Sequence, residues 1–271
     1  MPELPEVETV TRALAARLTG RRFADIVQRR PDIRFPIPAG LPERLRGRRL
    51  EGFARRAKYI QARLDDGQTL LLHLGMSGRL LFDGEPRGAH EHLTFGFDDG
   101  SVLRFVDPRR FGMVDLVATE AVDSHRWLVH LGYEPLGNSF SGPALLQALE
   151  GRRTAVKVAL MDQRLVVGVG NIYASESLHR AGIAPARPAL GIGSEAAARL
   201  AAAIRDVLSE AIDAGGSSLR DYVQSNGELG NFQRHFRVYD RAGDPCRSCA
   251  RPIERMVQAG RATYHCGHCQ R

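Results

Sequence analysis

The first residues of the chain have the types that covalent catalysis by an amine requires. Pro2 follows the initiator methionine, and a small second residue normally lets that methionine be removed, which would leave a free proline amine. An α-amino group has a pKa of ~7.7–8.0, so near neutral pH part of it is uncharged and can form an iminium with an aldehyde or a sugar anomeric carbon. Glu3 and Glu6 lie beside it as candidates for general acid–base catalysis. Alternatively Pro5, Glu6 and Glu8 only start a helix, which they also suit.

The elements that must position this N-terminus are a helix and a β-rich segment. Apolar residues recur with helical spacing and predict a helix from Pro5 to Leu18 that stops near Gly20. From about Arg22 to Leu116 the chain forms short β-rich runs, of which the clearest are 59–64, 69–74, 92–97 and 101–106. Their spacing and the Asp-Asp-Gly turns between them predict an antiparallel sandwich or barrel.

Three stretches of this β-rich segment carry residues suited to a polyanion. Lys58 lies in the basic run 55–59, which we expect to open a strand, and by itself it is interpreted as a solvated or phosphate-contacting lysine. Met76 lies between turn residues, and Arg109 and Phe111 lie in the loop 107–112. An apolar wedge beside arginine can unstack a duplex, whereas filling of the core is the simpler explanation for Met76 or Phe111 alone.

After about Leu131 the sequence becomes helical, and helices are predicted at 144–149, 154–161, 172–181 and 194–214. The Gly-rich turn 168–171 precedes one of them and either offers backbone N–H groups to a phosphate or simply connects two helices. No strand-helix-strand unit surrounds it, so a dinucleotide site is not predicted. Residues 216–233 are rich in Gly, Ser and Asn and form either a loop that orders on substrate or a plain linker.

All four cysteines lie close to the C-terminus, in two Cys-x-x-Cys pairs. Cys246, Cys249, Cys266 and Cys269 have the spacing of a tetrahedral zinc site, and because four thiolates fill the coordination shell the metal should be structural. We expect His265 and His268 to be bystanders. The residues between the pairs alternate like a β-hairpin, and Arg261 at its tip is well placed to contact a phosphate.

The bulk composition favours a nucleic-acid partner. The 271 residues include 38 Lys and Arg against 31 Asp and Glu, which gives a net charge of +7. No apolar run reaches the ~18–20 residues of a membrane span, and no signal region opens the chain. We therefore expect a soluble intracellular protein of two or three domains.

In combination these motifs resemble the bacterial formamidopyrimidine-DNA glycosylase family, the 8-oxoguanine DNA glycosylases. The resemblance covers essentially the whole chain and rests on the stretches 1–9, 56–59, 73–78, 107–112, 168–173 and the four-cysteine ribbon. The opening Leu-Pro-Glu-Val-Glu-Thr is similar to this branch rather than to its pyrimidine-directed relative, endonuclease VIII.

The resemblance implies an α+β multidomain protein. Residues 1–132 would form a catalytic antiparallel β-sandwich with an N-terminal helix, 133–236 a helix-two-turn-helix DNA-binding domain, and 237–271 a zinc-finger β-hairpin. It further implies a monomer in the bacterial cytoplasm that associates with the nucleoid through DNA. Its partner would be damaged double-stranded DNA, its only cofactor one structural Zn²⁺, and it would need no nucleotide cofactor and no membrane.

The same resemblance implies excision of oxidised purines followed by β,δ-elimination. Pro2 would attack C1′ of the damaged nucleoside, Glu3 would protonate the ring oxygen, and Glu6 would support the site and nearby water. Lys58 would contact phosphate and assist β-elimination. Arg261 would hold the phosphates that flank the lesion and take part in δ-elimination.

Six further residues are implied to contact DNA. Three of them would fill the hole left by the everted nucleotide (Met76, Arg109 and Phe111), and three would bind DNA elsewhere (His90, Arg153 and Asn171). The segment 216–233 would close over the flipped base. Two alternatives remain open, namely an endonuclease VIII-like glycosylase for oxidised pyrimidines and a non-catalytic zinc-ribbon DNA-binding protein.

Overall fold

The computed structural model describes residues 2–82, 88–218, 224–225 and 227–271. They form two compact units, Met1–Val129 with Ala214–Asn231, and His130–Asp213 with Phe232–Arg271. The predicted loop or linker at 216–233 lies partly outside the described residues. None of the helices within the described ranges is long and apolar enough to cross a membrane.

The first unit opens with the predicted helix, α1, at Leu4–Leu18. Its apolar stripe is buried, as the spacing predicts: Val7, Val10 and Leu18 are each 1% exposed and Leu14 has no exposed surface. The helix ends where the N–H of Thr19 donates to the carbonyl of Ala15.

Two four-stranded antiparallel sheets follow α1 and confirm the predicted sandwich. One has the strand order β1-β6-β7-β5 and the other β2-β3-β4-β8. Apolar residues of both sheets and of α1 share one core. The strands, with the short helix α2 (Leu41–Leu45), are β1 (Phe23–Gln28), β2 (Leu50–Arg56), β3 (Tyr59–Leu64), β4 (Gln68–His73), β5 (Arg79–Phe82), β6 (Glu91–Phe97), β7 (Val102–Val106) and β8 (Met113–Ala118).

The four predicted strands match β3, β4, β6 and β7 to within a residue at each end. The basic run 55–59, however, does not open a strand. Arg55 and Arg56 end β2, and Ala57 and Lys58 form the turn into β3. Ala57 has φ of +54°, a left-handed conformation that tight hairpin turns need, and nothing in its residue type signals that conformation.

The second unit contains the predicted helices and the ribbon. The helices are α3 (Gly142–Leu149), α4 (Val156–Leu160), α5 (Asn171–Ala181) and α6 (Ser194–Asp213), and the hairpin strands are β9 (Glu254–Gln258) and β10 (Arg261–His265). The buried stripe of α6 packs on α3 and α5. Helix α4 is shorter than the predicted 154–161. A helical part followed by a four-cysteine ribbon is thereby confirmed.

Candidate functional site

The residues predicted to perform covalent chemistry are buried at the N-terminus of α1. Pro2 is buried, and Glu3 and Glu6 are 4% and 2% exposed. Glu6 accepts the backbone N–H of Glu3 through Oε2 and that of Ser217 through Oε1, each at 2.8 Å. Glu3 and Glu6 form a capping box, so this segment does start a helix, and the same contacts hold the residue after Pro2 in place.

Lys58 lies in the β2–β3 turn and is only 6% exposed, so its interpretation as a solvated lysine is wrong. Arg55 explains how the turn is held. It donates through Nε to Glu8 of α1 at 2.8 Å and through Nη1 to the carbonyl of Ala57 at 2.9 Å. Burial raises the pKa of Glu8, but hydrogen bonds from Arg55 and Arg12 outweigh it and leave that pKa below its usual value. Helix α1 therefore positions both the N-terminal residues and the turn that carries Lys58.

His73, at the end of β4, is a residue of this region to which the sequence assigned no role. Its Nδ1 accepts the N–H of Gly75 at 3.0 Å, and its ring lies 4.7 Å from that of Tyr59. Burial lowers the pKa of His73 to about 3, and the charges of Lys58 and Arg34 add to that effect. The imidazole is therefore neutral, with its proton on Nε2. The signal that could have found it is its place three residues before Met76 in the stretch 73–78.

Met76, Arg109 and Phe111, which we call the wedge residues, line one cleft of about 570 Å³. The neutral His73 also lines the cleft, and Arg34 and Arg110 make it strongly basic together with Arg109. The guanidinium of Arg109 lies 5.1 Å from the centre of the Phe111 ring, and Phe111 is 40% exposed. Filling of the core is therefore wrong as an explanation for Phe111, whereas Met76 is half-buried.

Of the three other predicted DNA contacts, His90 belongs to the first unit and Arg153 to the second. His90 is exposed, and its carbonyl accepts the N–H of Asp107 at 2.9 Å, so it lies beside the loop 107–112. Arg153 is exposed in the connection between α3 and α4.

In the second unit the structure brings Asn171 and the ribbon together. Gly170 caps α5, so Asn171 is the first residue of the helix, one position before the predicted start at 172. Its Nδ2 donates to the carbonyl of Ala262 at 3.0 Å. Arg261, the adjacent residue, is exposed where β10 begins and pairs with Gln258. Asn171 and Arg261 thus lie in one part of this unit.

A buried lysine that the sequence did not single out holds this arrangement. Lys157 of α4 has no exposed surface and donates through Nζ to Asn171 Oδ1 at 2.7 Å, Thr263 Oγ1 at 2.6 Å and the Ala262 carbonyl at 3.2 Å. A buried ammonium requires acceptors of this kind. Lys157 therefore ties α4 and α5 to strand β10.

The four cysteines form a cluster that fits one zinc ion. Their sulfurs all lie within 4.8 Å of one another, with Cys246 and Cys269 at 3.9 Å and Cys249 and Cys266 at 3.5 Å. A tetrahedral site with Zn–S bonds of about 2.3 Å places sulfurs about 3.8 Å apart, close to these distances. His179 at the end of α5 lies 3.7 Å through Nε2 from the Cys246 sulfur, so α5 reaches the metal site directly.

Comparisons with known proteins agree with this geometry. The chain matches the models of the formamidopyrimidine-DNA glycosylase N-terminal domain at residues 1–114, of the formamidopyrimidine-DNA glycosylase H2TH domain at 131–223, and of a zinc finger found in FPG and IleRS at 243–271. It is 58% identical to a formamidopyrimidine-DNA glycosylase of Acidiphilium cryptum, with full coverage of both chains.

Solved structures give the same result. The MutM (FPG) protein of Thermus thermophilus is 40% identical and superposes with a TM-score of 0.89 over 99% of this chain and 98% of that one. A mutant FPG of Lactococcus lactis in complex with Fapy-dG-containing DNA is 33% identical, with a TM-score of 0.91 and 99% coverage of both chains.

Proposed function

Because the chain belongs to the formamidopyrimidine-DNA glycosylase family, we propose that it removes oxidised purines from DNA through a Schiff base on Pro2. It is a bifunctional base-excision-repair enzyme, a DNA glycosylase with AP lyase activity, and its partner is damaged double-stranded DNA. The resemblance found in the sequence is thereby confirmed. One structural Zn²⁺ is bound by the four cysteines.

The buried N-terminus of α1 is the observation that carries the Pro2 assignment. Pro2 is buried next to Glu3, and the amine that removal of Met1 would expose there is suited to covalent catalysis at a sugar carbon. The Pro2 nitrogen forms a bond to C1′ while the bond from C1′ to the damaged base breaks. Glu3 donates a proton to the sugar ring oxygen, which opens the ring and leaves a cationic iminium.

Strand cleavage follows from that iminium. It acidifies the C2′–H bond, and loss of this proton expels the 3′ phosphate by β-elimination, after which δ-elimination expels the 5′ phosphate. Lys58 contacts phosphate and assists the first elimination, and Arg261 holds the flanking phosphates and acts in the second. Glu6 supports the site by holding the backbone that leads to Pro2, which the two 2.8 Å contacts of its carboxylate favour.

The remaining proposed contacts are with the DNA duplex from which the damaged nucleotide has been extruded. A base inside a duplex must be extruded before its glycosidic bond can be reached, and unstacking costs a few kcal/mol. The wedge residues fill the resulting hole, and the exposure of Phe111 and the basic cleft around it support this role. Asn171, His90 and Arg153 contact the DNA elsewhere.

We propose the domain boundaries 1–132 for the catalytic sandwich, 133–236 for the helix-two-turn-helix domain and 237–271 for the zinc finger. The positions of the three family matches support these limits. We also propose a location for the protein. As a bacterial DNA-repair enzyme it acts on chromosomal DNA, so we place it in the cytoplasm in association with the nucleoid. We also propose that it acts as a monomer.

Borohydride trapping tests the function directly. The wild-type protein is incubated with a duplex that carries 8-oxoguanine opposite cytosine, and the trapped peptide is identified by mass spectrometry. We expect an adduct on a Pro2 N-terminus, which also requires removal of Met1. Pro2→Gly should lose strand cleavage and retain DNA binding, because binding rests on the basic surface. Full cleavage by Pro2→Gly would remove the nucleophile assignment.

The same assay separates the alternatives. An adduct on a lysine would keep the lyase class and move the nucleophile. A folded, zinc-loaded protein that traps only on a thymine glycol duplex would be an oxidised-pyrimidine glycosylase. Binding to both duplexes without any adduct would indicate a non-catalytic zinc-ribbon protein.

A further inference from the structure

Ser77 and Asp107 join the two loops that carry the wedge residues. Ser77 Oγ donates to Asp107 Oδ1 at 2.7 Å and accepts the backbone N–H of Arg109 at 3.1 Å. Asp107 Oδ2 accepts the N–H of Gly112 at 2.7 Å. One hydroxyl and one carboxylate therefore connect the turn around Met76 to both ends of the loop 107–112.

The connection is buried and saturated with donors. Asp107 has no exposed surface and Ser77 is 4% exposed. The backbone of Asp107 is also held, since its N–H donates to the carbonyl of His90 at 2.9 Å, and its own carbonyl accepts from His92 Nε2 at 2.8 Å and from the N–H of Arg110 at 3.2 Å. A buried carboxyl group without such donors would be strongly unfavourable, so the burial of the Asp107 side chain depends on the geometry of the loop.

The two loops also touch through their backbones. A Cβ added to Gly75 would lie 2.3 Å from the carbonyl carbon of Phe111, and Gly75 has a left-handed φ of +63°. A Cβ added to Gly112 would lie 2.6 Å from the Phe105 ring and 3.0 Å from Asp107 Oδ2. The backbone of Gly75 therefore packs directly against that of Phe111, and neither glycine leaves space for a side chain.

We propose that Ser77 and Asp107 are positioning residues that hold the wedge residues as one rigid unit before DNA binds. The inference rests on the proposed function, because a wedge matters only if the protein opens a duplex. A side chain already fixed in its working geometry enters the base stack without a further loss of conformational freedom, which speeds extrusion of the nucleotide. Neither residue takes part in the chemistry at Pro2.

Ser77→Ala tests this inference, because it removes the hydroxyl that both loops share and introduces no bulk. We expect kcat/KM on a duplex with 8-oxoguanine opposite cytosine to fall about 10-fold, the scale of one lost hydrogen bond to a charged group. The fluorescence rise of 2-aminopurine next to the lesion, which reports unstacking, should slow by the same factor. Trapping of Pro2 on a single-stranded oligonucleotide with an abasic site should not change, because that substrate has no stack to open.

Ser101→Ala is the matched control. Ser101 Oγ donates to Asp99 at 2.6 Å in the β6–β7 turn, at the opposite end of β7 from Asp107. It is a serine–aspartate hydrogen bond in the same sandwich, although Asp99 is exposed. We expect its removal to leave both the duplex reaction and the fluorescence rate at the wild-type level.

Asp107→Asn and the double variant with Ser77→Ala complete the test. If the two side chains act as one connection, the double variant should be no slower than the slower single variant, which is a strong departure from additivity. Wild-type unstacking by Ser77→Ala, or an equal loss on the single-stranded abasic substrate, would overturn the inference. Wild-type protein that neither cuts the duplex nor traps would instead overturn the proposed function.

Discussion

Replacement of Glu6 by glutamine should weaken the N-terminal site more than its single-atom change suggests. The two carboxylate oxygens each accept one buried backbone N–H at 2.8 Å, from Glu3 and from Ser217. Glutamine keeps one acceptor oxygen and turns an NH₂ group toward the other N–H, so one donor loses its partner and meets another donor. A hydrogen bond to a charged group contributes ~1.5–3 kcal/mol, so we expect Glu6→Gln to lower the unfolding free energy by about 2–4 kcal/mol.

Urea unfolding with Glu51→Gln as control measures this effect. Glu51 is an exposed carboxylate whose nearest cation, Arg49, lies 4.0 Å away, and its replacement should change stability by less than about 0.5 kcal/mol. Single-turnover cleavage measures the effect of Glu6→Gln on the reaction itself. Because Glu6 holds the backbone beside Pro2, the rate of Schiff-base formation should fall while DNA affinity stays near the wild-type value. Glu6→Gln with wild-type stability and trapping rate would refute the argument that these two contacts fix the N-terminus.

Three further predictions concern residues that the structure singles out. Lys157→Met leaves the acceptors on Asn171 and Thr263 without their charged donor, and urea unfolding should show a loss of about 2–4 kcal/mol, with weaker DNA binding at high salt. His179→Phe removes the imidazole beside Cys246 and should weaken zinc affinity about 10-fold or more in a chelator competition, whereas exchange of the exposed bystander His268 should not. The pKa of His73 is lowered from 6.5 to about 3, so as the pH falls the unfolded chain binds this proton before the folded chain does. Between pH 6.5 and about pH 3 the fold therefore loses about 1.4 kcal/mol per pH unit from this group, and His73→Gln should make the acid unfolding profile shallower.

Elements with strong local patterns could be predicted from the sequence. Helix α1 and strands β3, β4, β6 and β7 lie within a residue or two of their predicted limits. The apolar stripe of a helix and the apolar–polar alternation of a strand are both visible in the sequence of the element itself. The prediction that the run 55–59 opens a strand was wrong because Arg55 and Arg56 are the last residues of β2. Most residues of β2 are half-buried or exposed, so no alternation of apolar and polar residues marks where this strand ends. The zinc site could be predicted because its ligand spacing is itself the signal.

The contacts that hold the candidate residues of each unit in place could not be predicted in this way, for a physical reason. Glu6 and Ser217 are 211 positions apart, Lys157 and Thr263 are 106 apart, and Ser77 and Asp107 are 30 apart. A polar side chain can be buried only where another segment supplies donors or acceptors, and residue type is the same whether that segment or water supplies them.

Lys157 and Lys58 show that two lysines that look alike in the sequence can have different roles in the fold. Both are lysines with little or no exposed surface, and in the sequence each resembles a solvated surface lysine. Lys157 is tied to acceptors on α5 and β10 and organises the second unit, whereas Lys58 lies in a turn that Arg55 holds against α1. The physical distinction between a lysine that orders the protein and one proposed to act on DNA therefore lies in the partner segments, which only the fold brings together.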